Sequence, residues 1–219
     1  MAVGLREIKK QRTRELIAET ARQLFAARGF ERVTVAEIAR AAEVSEQTVF
    51  NYFPSKEDLV YWRLESFEDE LLGAIQGREP GESIVSAFGR FVLQQRGLLA
   101  NEDDAARKNL TQLTRTITES PALLAREREI FARYTSSLAA LIAEETRAGE
   151  VESWVVANAL MGVHRALVDR ARRQIVDGVP SERIRRDVRA QGKRALATLE
   201  QGLAEVGNNP GSRQEERTS

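Results

Sequence analysis

Proline placement is what most constrains this chain. The five prolines stand at positions 54, 80, 121, 180 and 210, and each falls between, never within, stretches whose apolar residues recur at the 3.6-residue period of an α-helix. Chains punctuated in this way are successions of helices. The intervals read as helices near residues 6–28, 34–42, 45–50, 55–76, 82–99, 102–118, 121–148, 152–177 and 181–206, and no window alternates with the period of a strand. The expected fold is therefore all-α, with about nine helices. Composition supports it: 42% apolar, 30% charged and 6% aromatic residues suit charged helical bundles and suit β-sandwiches badly.

Local signals place the helix ends. Gly29 follows the first helix, where a residue able to adopt positive φ is needed. Thr34 caps the second, with Glu37 completing a capping box, and Ser45 caps the third. Ser55 opens a longer fourth helix with Asp58 at the capping-box position, carrying Leu59, Trp62, Phe67, Leu71 and Ile75. Residues 207–219 are too polar to bury apolar area and are expected to form a disordered tail.

Several function classes are set aside by inventory. The chain has no cysteine and a single histidine, His164, so no disulfide framework, thiolate nucleophile, metal centre or cofactor is expected. No two glycines are separated by one residue, which removes G-x-G-x-x-G and G-x-S-x-G, and Walker A, HExxH and S-x-x-K are absent too. No catalytic residue and no enzymatic activity are expected. The first ten residues lack the apolar core of a signal peptide, and the apolar stretch 151–168 is broken by Glu152, Asn158, His164 and Arg165. A soluble, cytoplasmic protein is the expectation.

Two short helices joined by a tight turn and braced by a preceding helix form the pattern of a helix-turn-helix, whose second helix enters the DNA major groove. The specific signal is Thr34-Val35-Ala36-Glu37-Ile38-Ala39, followed by Val44-Ser45-Glu46-Gln47-Thr48-Val49-Phe50-Asn51-Tyr52-Phe53-Pro54-Ser55-Lys56-Glu57-Asp58-Leu59. Over residues 8–60 this closely resembles the TetR family of bacterial transcriptional regulators. There are two departures: the family usually has Gly where Glu43 stands, and commonly Tyr, often a phosphate donor, where Phe50 stands.

The side chains suit DNA on chemical grounds. Gln47 and Asn51 can pair bidentately with adenine, Thr48 can touch a thymine methyl, and Glu46 can accept from cytosine, so these four are the base-reading candidates. Thr34, Ser45, Tyr52 and Lys56 are the phosphate candidates, fixing register without reading sequence. Charge follows the same division. The whole chain is neutral, but residues 1–56 hold 10 Lys+Arg against 7 Asp+Glu, a net +3, and the remainder carries −3. Arg6, Lys9, Lys10, Arg12 and Arg14 crowd the N-terminus, as a flexible arm or helix start along DNA would.

The resemblance implies an N-terminal three-helix DNA-binding domain, residues 1–54, joined to a helical ligand-binding and dimerisation domain, residues 55–206. It implies a homodimer that binds a palindromic operator as a repressor and is released by a small molecule, with activation or lost DNA binding as alternatives. Dimerisation is expected through helices 152–177 and 181–206, where a second apolar stripe of Val156, Leu160, Val163 and Leu167 awaits a partner and Gly192 and Gly202 permit close approach. The ligand-pocket candidates are Trp62, Phe88, Phe91, Gln95, Asn109, Gln112, Phe131, Tyr134, Asn158 and His164, bulky or polar groups on otherwise apolar faces.

Overall fold

A computed structural model describes residues 4–94, 104–146 and 148–206. Among these residues there are ten α-helices and no strand. They are α1 (Leu5–Arg28), α2 (Val35–Ala41), α3 (Glu46–Tyr52), α4 (Asp58–Tyr61), α5 (Glu65–Gln76), α6 (Ile84–Val92), α7 (Asp104–Glu119), α8 (Pro121–Glu145), α9 (Glu150–Val176) and α10 (Ser181–Val206). The all-α expectation holds. The helix expected from Ser55 to the Gly77 break is not continuous, because a 3₁₀ turn at Trp62–Leu64 separates α4 from α5. The expected tail, 207–219, and Gln95 lie outside the described residues, as do the side chains of Leu203 and Val206.

The chain forms two compact units, residues 1–69 with 101–132 and residues 70–100 with 133–219. The first holds the helix-turn-helix together with α4, α7 and the N-terminal half of α8, so the body that carries the DNA-reading segment is larger than that segment. Its core joins Ile17, Ala21 and Phe25 of α1 to Ile38 and Ala39 of α2 and Val49 of α3, with Phe30, Phe53 and Leu59 filling in from the connections. Phe25 and Phe30 pack with ring centroids 5.0 Å apart.

Asp58 fastens α4 within this unit. Its carboxylate accepts from the Ser55 N–H (3.0 Å) and Ser55 Oγ (2.8 Å), and its other oxygen accepts from Arg126 Nε of α8 (2.9 Å). Tyr61 adds a second tie, its buried hydroxyl donating to the Leu123 carbonyl at 3.0 Å.

In the second unit α10 packs against α6 and α9. At the α9–α10 contact, Arg170 grips Asp187 through two hydrogen bonds (2.5 and 3.0 Å) and Gln174 adds a third (2.8 Å). The Arg170 guanidinium, followed by the Gln174 amide, holds the Asp187 carboxyl down at about 2. α9 ends in a Schellman motif, Gly178 at φ +72° and the Val179 N–H reaching back to Gln174 O at 2.9 Å, with Pro180 next. Gly192 is used inside the chain: a β-carbon there would lie 2.4 Å from Leu93 and 3.0 Å from Leu167. Its lack of a side chain brings α10 against its own neighbours, whereas Gly202 has nothing within 4 Å.

Candidate nucleic-acid interface

The turn between α2 and α3 is set by the end of α2. Thr34 caps its start, accepting from the Glu37 N–H at 3.3 Å, while Glu37 accepts from the Thr34 N–H at 2.9 Å, the reciprocal box read from the sequence. Arg28 of α1 reaches the same carboxylate at 2.8 Å. The Thr34 N–H, then Arg28 and the Thr34 hydroxyl, hold the Glu37 carboxyl down at about 2.

α2 then closes in a Schellman motif in which the Glu43 N–H returns to Arg40 O (3.3 Å) and the Val44 N–H to Ala39 O (2.9 Å). Glu43 occupies the left-handed position at φ +56°, the one non-glycine residue with positive φ among the described residues. The fold keeps the glycine geometry without the glycine. Because a β-carbon at such φ costs about 1 kcal/mol, Glu43→Gly is expected to raise stability by about that amount, seen as a higher urea midpoint at unchanged slope.

Ser45 caps α3 as expected, accepting from the Thr48 N–H at 3.0 Å and pairing with the Thr48 hydroxyl at 2.7 Å. Val49 is buried and Phe53, at the C-cap, is fully so, which turns the opposite face outward. That exposed face carries Glu46, Gln47, Phe50 and Asn51, with Thr48 and Tyr52 half-buried at its edges. Gln47 Nε2 donates to Asn51 Oδ1 at 3.1 Å, so the two amides form one unit. With that bond made, one amide keeps its carbonyl to accept and the other its NH₂ to donate, the combination adenine requires in the major groove. The structure thus gathers the four base-reading candidates on one surface. Phe50, which cannot donate and can offer only apolar contact, lies on the same surface.

The phosphate candidates are more constrained. The Thr34 hydroxyl gives its proton to Glu37 (3.0 Å), leaving it no proton for a phosphate while that bond stands. Lys56 donates to the carbonyls of Phe30 (3.0 Å) and Val33 (3.3 Å) and sits 4.1 Å from the Phe30 ring centroid. It fastens the α1–α2 connection and keeps one N–H for other partners. Arg6, Lys9, Lys10 and Arg12 stand exposed along α1, so the basic N-terminus is a helix face from Leu5 onward. Arg14 turns inward, its guanidinium 5.3 Å from the Phe53 ring centroid.

The pocket candidates are divided between the two units. Trp62, Asn109, Gln112 and Phe131 belong to the first unit, and Phe88, Phe91, Tyr134, Asn158 and His164 to the second. Phe88, Phe91, Phe131 and Tyr134 are buried core, whereas Asn109, Gln112 and Asn158 are exposed, Asn158 donating to the Trp154 carbonyl of its own helix at 2.8 Å. The opening found in the second unit is instead a groove of about 540 Å³ between α6 and α10, lined by Val85, Gly89, Leu93, Leu196, Arg189 and Lys193 among others and by none of the candidates.

His164 is half-buried in α9, and burial pushes its imidazole from 6.5 down to about 4. The folded protein stays unprotonated there while the unfolded chain takes up a proton. Stability is therefore lost as pH falls from about 6.5 to about 4, by up to about 3 kcal/mol. His164→Gln should flatten urea midpoints across that window, and a variant as steep as the parent would assign the slope to carboxylates. No cluster of metal-ligating residues occurs among the described residues, and none of their helices is long and apolar enough to cross a membrane.

The architecture defines a helix-turn-helix protein with a polar, outward-facing second helix. The family model described as bacterial regulatory proteins, tetR family, matches residues 17–61. The HTH-type transcriptional regulator TcmR of Streptomyces glaucescens is 35% identical over 127 residues, 56% of this chain and 55% of that protein. The HTH-type transcriptional regulator LuxR of Vibrio harveyi is 35% identical over 118 residues, 51% of this chain and 47% of that protein. The matched region thus spans about half the length of these curated relatives. In fold the chain is similar to native NalD, the secondary repressor of the MexAB-OprM multidrug efflux pump in Pseudomonas aeruginosa, with a TM-score of 0.51, 19% identity and coverage of 88% of this chain and 97% of that one. Residues 17–61 of the chain are thus similar to the tetR family of bacterial regulatory proteins.

Proposed function

We propose that this protein is a cytoplasmic transcriptional repressor that binds a palindromic DNA operator as a homodimer and leaves it when a small molecule binds. The observation that carries the reading is the exposed face of α3, where Glu46, Gln47 and Asn51 stand clear of the core on a helix fixed by two caps and a Schellman turn. These groups are free to meet a base edge without disturbing the core. Ser45, Tyr52 and Lys56 flank the face as positioning groups, Lys56 through its remaining N–H, and Thr34 joins them only where its hydroxyl leaves Glu37.

Support for a second copy comes from α9. Leu160 and Leu167, expected to await a partner, are buried within the chain. Exposed apolar residues cluster instead near the N-terminal end of α9, at Val151, Trp154 and Val155. Together with exposed Asn158 and Gly162 they form a stripe along α9, and a β-carbon at Gly162 would meet nothing within 4 Å, leaving room for another helix. A symmetric pairing of this stripe makes the homodimer. The effector's place in the second unit is the α6–α10 groove, whose cationic Arg189 and Lys193 beside Leu93 and Leu196 suit a partly apolar anion. Its effect depends on its different affinities for the DNA-competent and DNA-incompetent states.

Selection from a pool of random duplexes tests the reading. The expected product is an inverted repeat whose half-sites lie about 34 Å apart, one helical turn, bound by two chains. Enrichment of no sequence would refute it, and enrichment of single half-sites bound by one chain would refute the dimer.

A further inference from the structure

We propose that Phe50 reads the C5-methyl group of a thymine in each half-site, making this phenyl ring a specificity-determining contact. The inference rests on the DNA-binding reading above and deepens it. Phe50 is 44% exposed, although it is the largest apolar side chain on α3 outside the core. Its position matters more than its exposure, since single exposed apolar residues are common on protein surfaces.

Successive helical residues advance by about 100°. On that spacing the outward arc of α3 runs from Glu46 through Phe50 and Gln47 to Asn51, with Phe50 and Gln47 at its middle. Buried Val49 and Phe53 lie about 100° and about 60° from Phe50, on the side away from Gln47. The ring therefore stands on the exposed arc between the buried flank and the Gln47–Asn51 amide pair, next to Gln47 one turn away.

A phenyl ring has no donor and no acceptor. Of the four base edges in the major groove, only thymine presents an apolar group, its C5-methyl. The amide pair supplies an acceptor and a donor for an adenine, so ring and pair together fit A·T steps.

Uracil differs from thymine only by the missing methyl, which makes the test specific. The full chain is titrated against its selected duplex and against duplexes in which each thymine in turn is replaced by uracil. At one thymine per half-site the replacement should weaken binding about fourfold, the factor for one buried methyl group, and about fifteenfold when both half-sites are changed. Phe50→Ala should bind more weakly and show no thymine–uracil difference at that position, while Phe50→Leu keeps part of it. Thermal unfolding of Phe50→Ala should match the parent, because the exposed ring leaves the core intact. If the parent selects a sequence but tolerates uracil everywhere, or if Phe50→Ala keeps the full discrimination, the inference is overturned while the DNA-binding reading stands. If no sequence is selected at all, both fall.

Discussion

Truncating Phe53 to alanine is expected to destabilise the protein by about 3–5 kcal/mol and to abolish sequence-specific DNA binding at temperatures where the parent binds. Phe53 is the C-cap of α3, its N–H closing the helix onto Val49 O at 2.8 Å, and its ring is fully buried. On α1, the Arg14 guanidinium lies 5.3 Å from the centroid of that ring. The ring is thus the point where the end of the reading helix is fastened to the helix that braces it. Removing it leaves a cavity and a guanidinium without its aromatic partner, and α3 loses its fixed angle. A denaturant titration gives the stability change. A variant that unfolds within about 1 kcal/mol of the parent would mean that the site collapses without cost and that α3 is held in some other way.

The second large effect concerns reading itself. Gln47→Ala and Asn51→Ala should each reduce affinity for the selected duplex by about 10- to 100-fold per half-site, the range for losing one bidentate base contact, with discrimination relaxed at A·T pairs. Their 3.1 Å hydrogen bond adds a further expectation. Either truncation frees the surviving amide from its partner, so the double variant should lose less than the product of the two single losses, with a coupling of about 0.5–3 kcal/mol. Single losses that simply multiply would show that the two amides act independently. Lys56→Ala should behave differently: with two N–H groups on Phe30 and Val33 carbonyls, its loss loosens the α1–α2 connection and weakens every duplex alike.

Much of this was legible in the sequence because local chemistry governs it. Thr34 with Glu37, and Ser45, cap as their spacing implies, since a cap needs only a hydroxyl or carboxylate a few residues from an N–H. Ser55 and Asp58 bond to each other as expected, but α4 starts only at Asp58. Glu43 shows the limit of such rules: its positive φ is imposed by the Schellman bonds of α2, which override the residue's own preference. The break at Trp62–Leu64 was not legible, because Leu59, Trp62, Phe67 and Leu71 keep helical spacing through it. Periodicity records which residues face inward and not what lies opposite them. For that reason Phe88, Phe91 and Tyr134 read as pocket and proved to be core, and Leu160 and Leu167 read as an interface and proved to be covered by their own chain. The groove between α6 and α10 depends on which helices meet, which no local pattern encodes.

The central claim is that α3 reads base edges while the basic α1 and the positioning groups hold the phosphates. The most direct test is the affinity of the full chain for its selected duplex and for a scrambled duplex of the same composition, measured across a range of salt concentrations. Both affinities should fall with salt, with negative slopes on logarithmic axes set by the number of phosphates neutralised. The selected duplex should stay tighter by about 10³-fold or more throughout. Equal affinity for the two duplexes at every salt concentration, or no binding to either at low salt, would contradict the account.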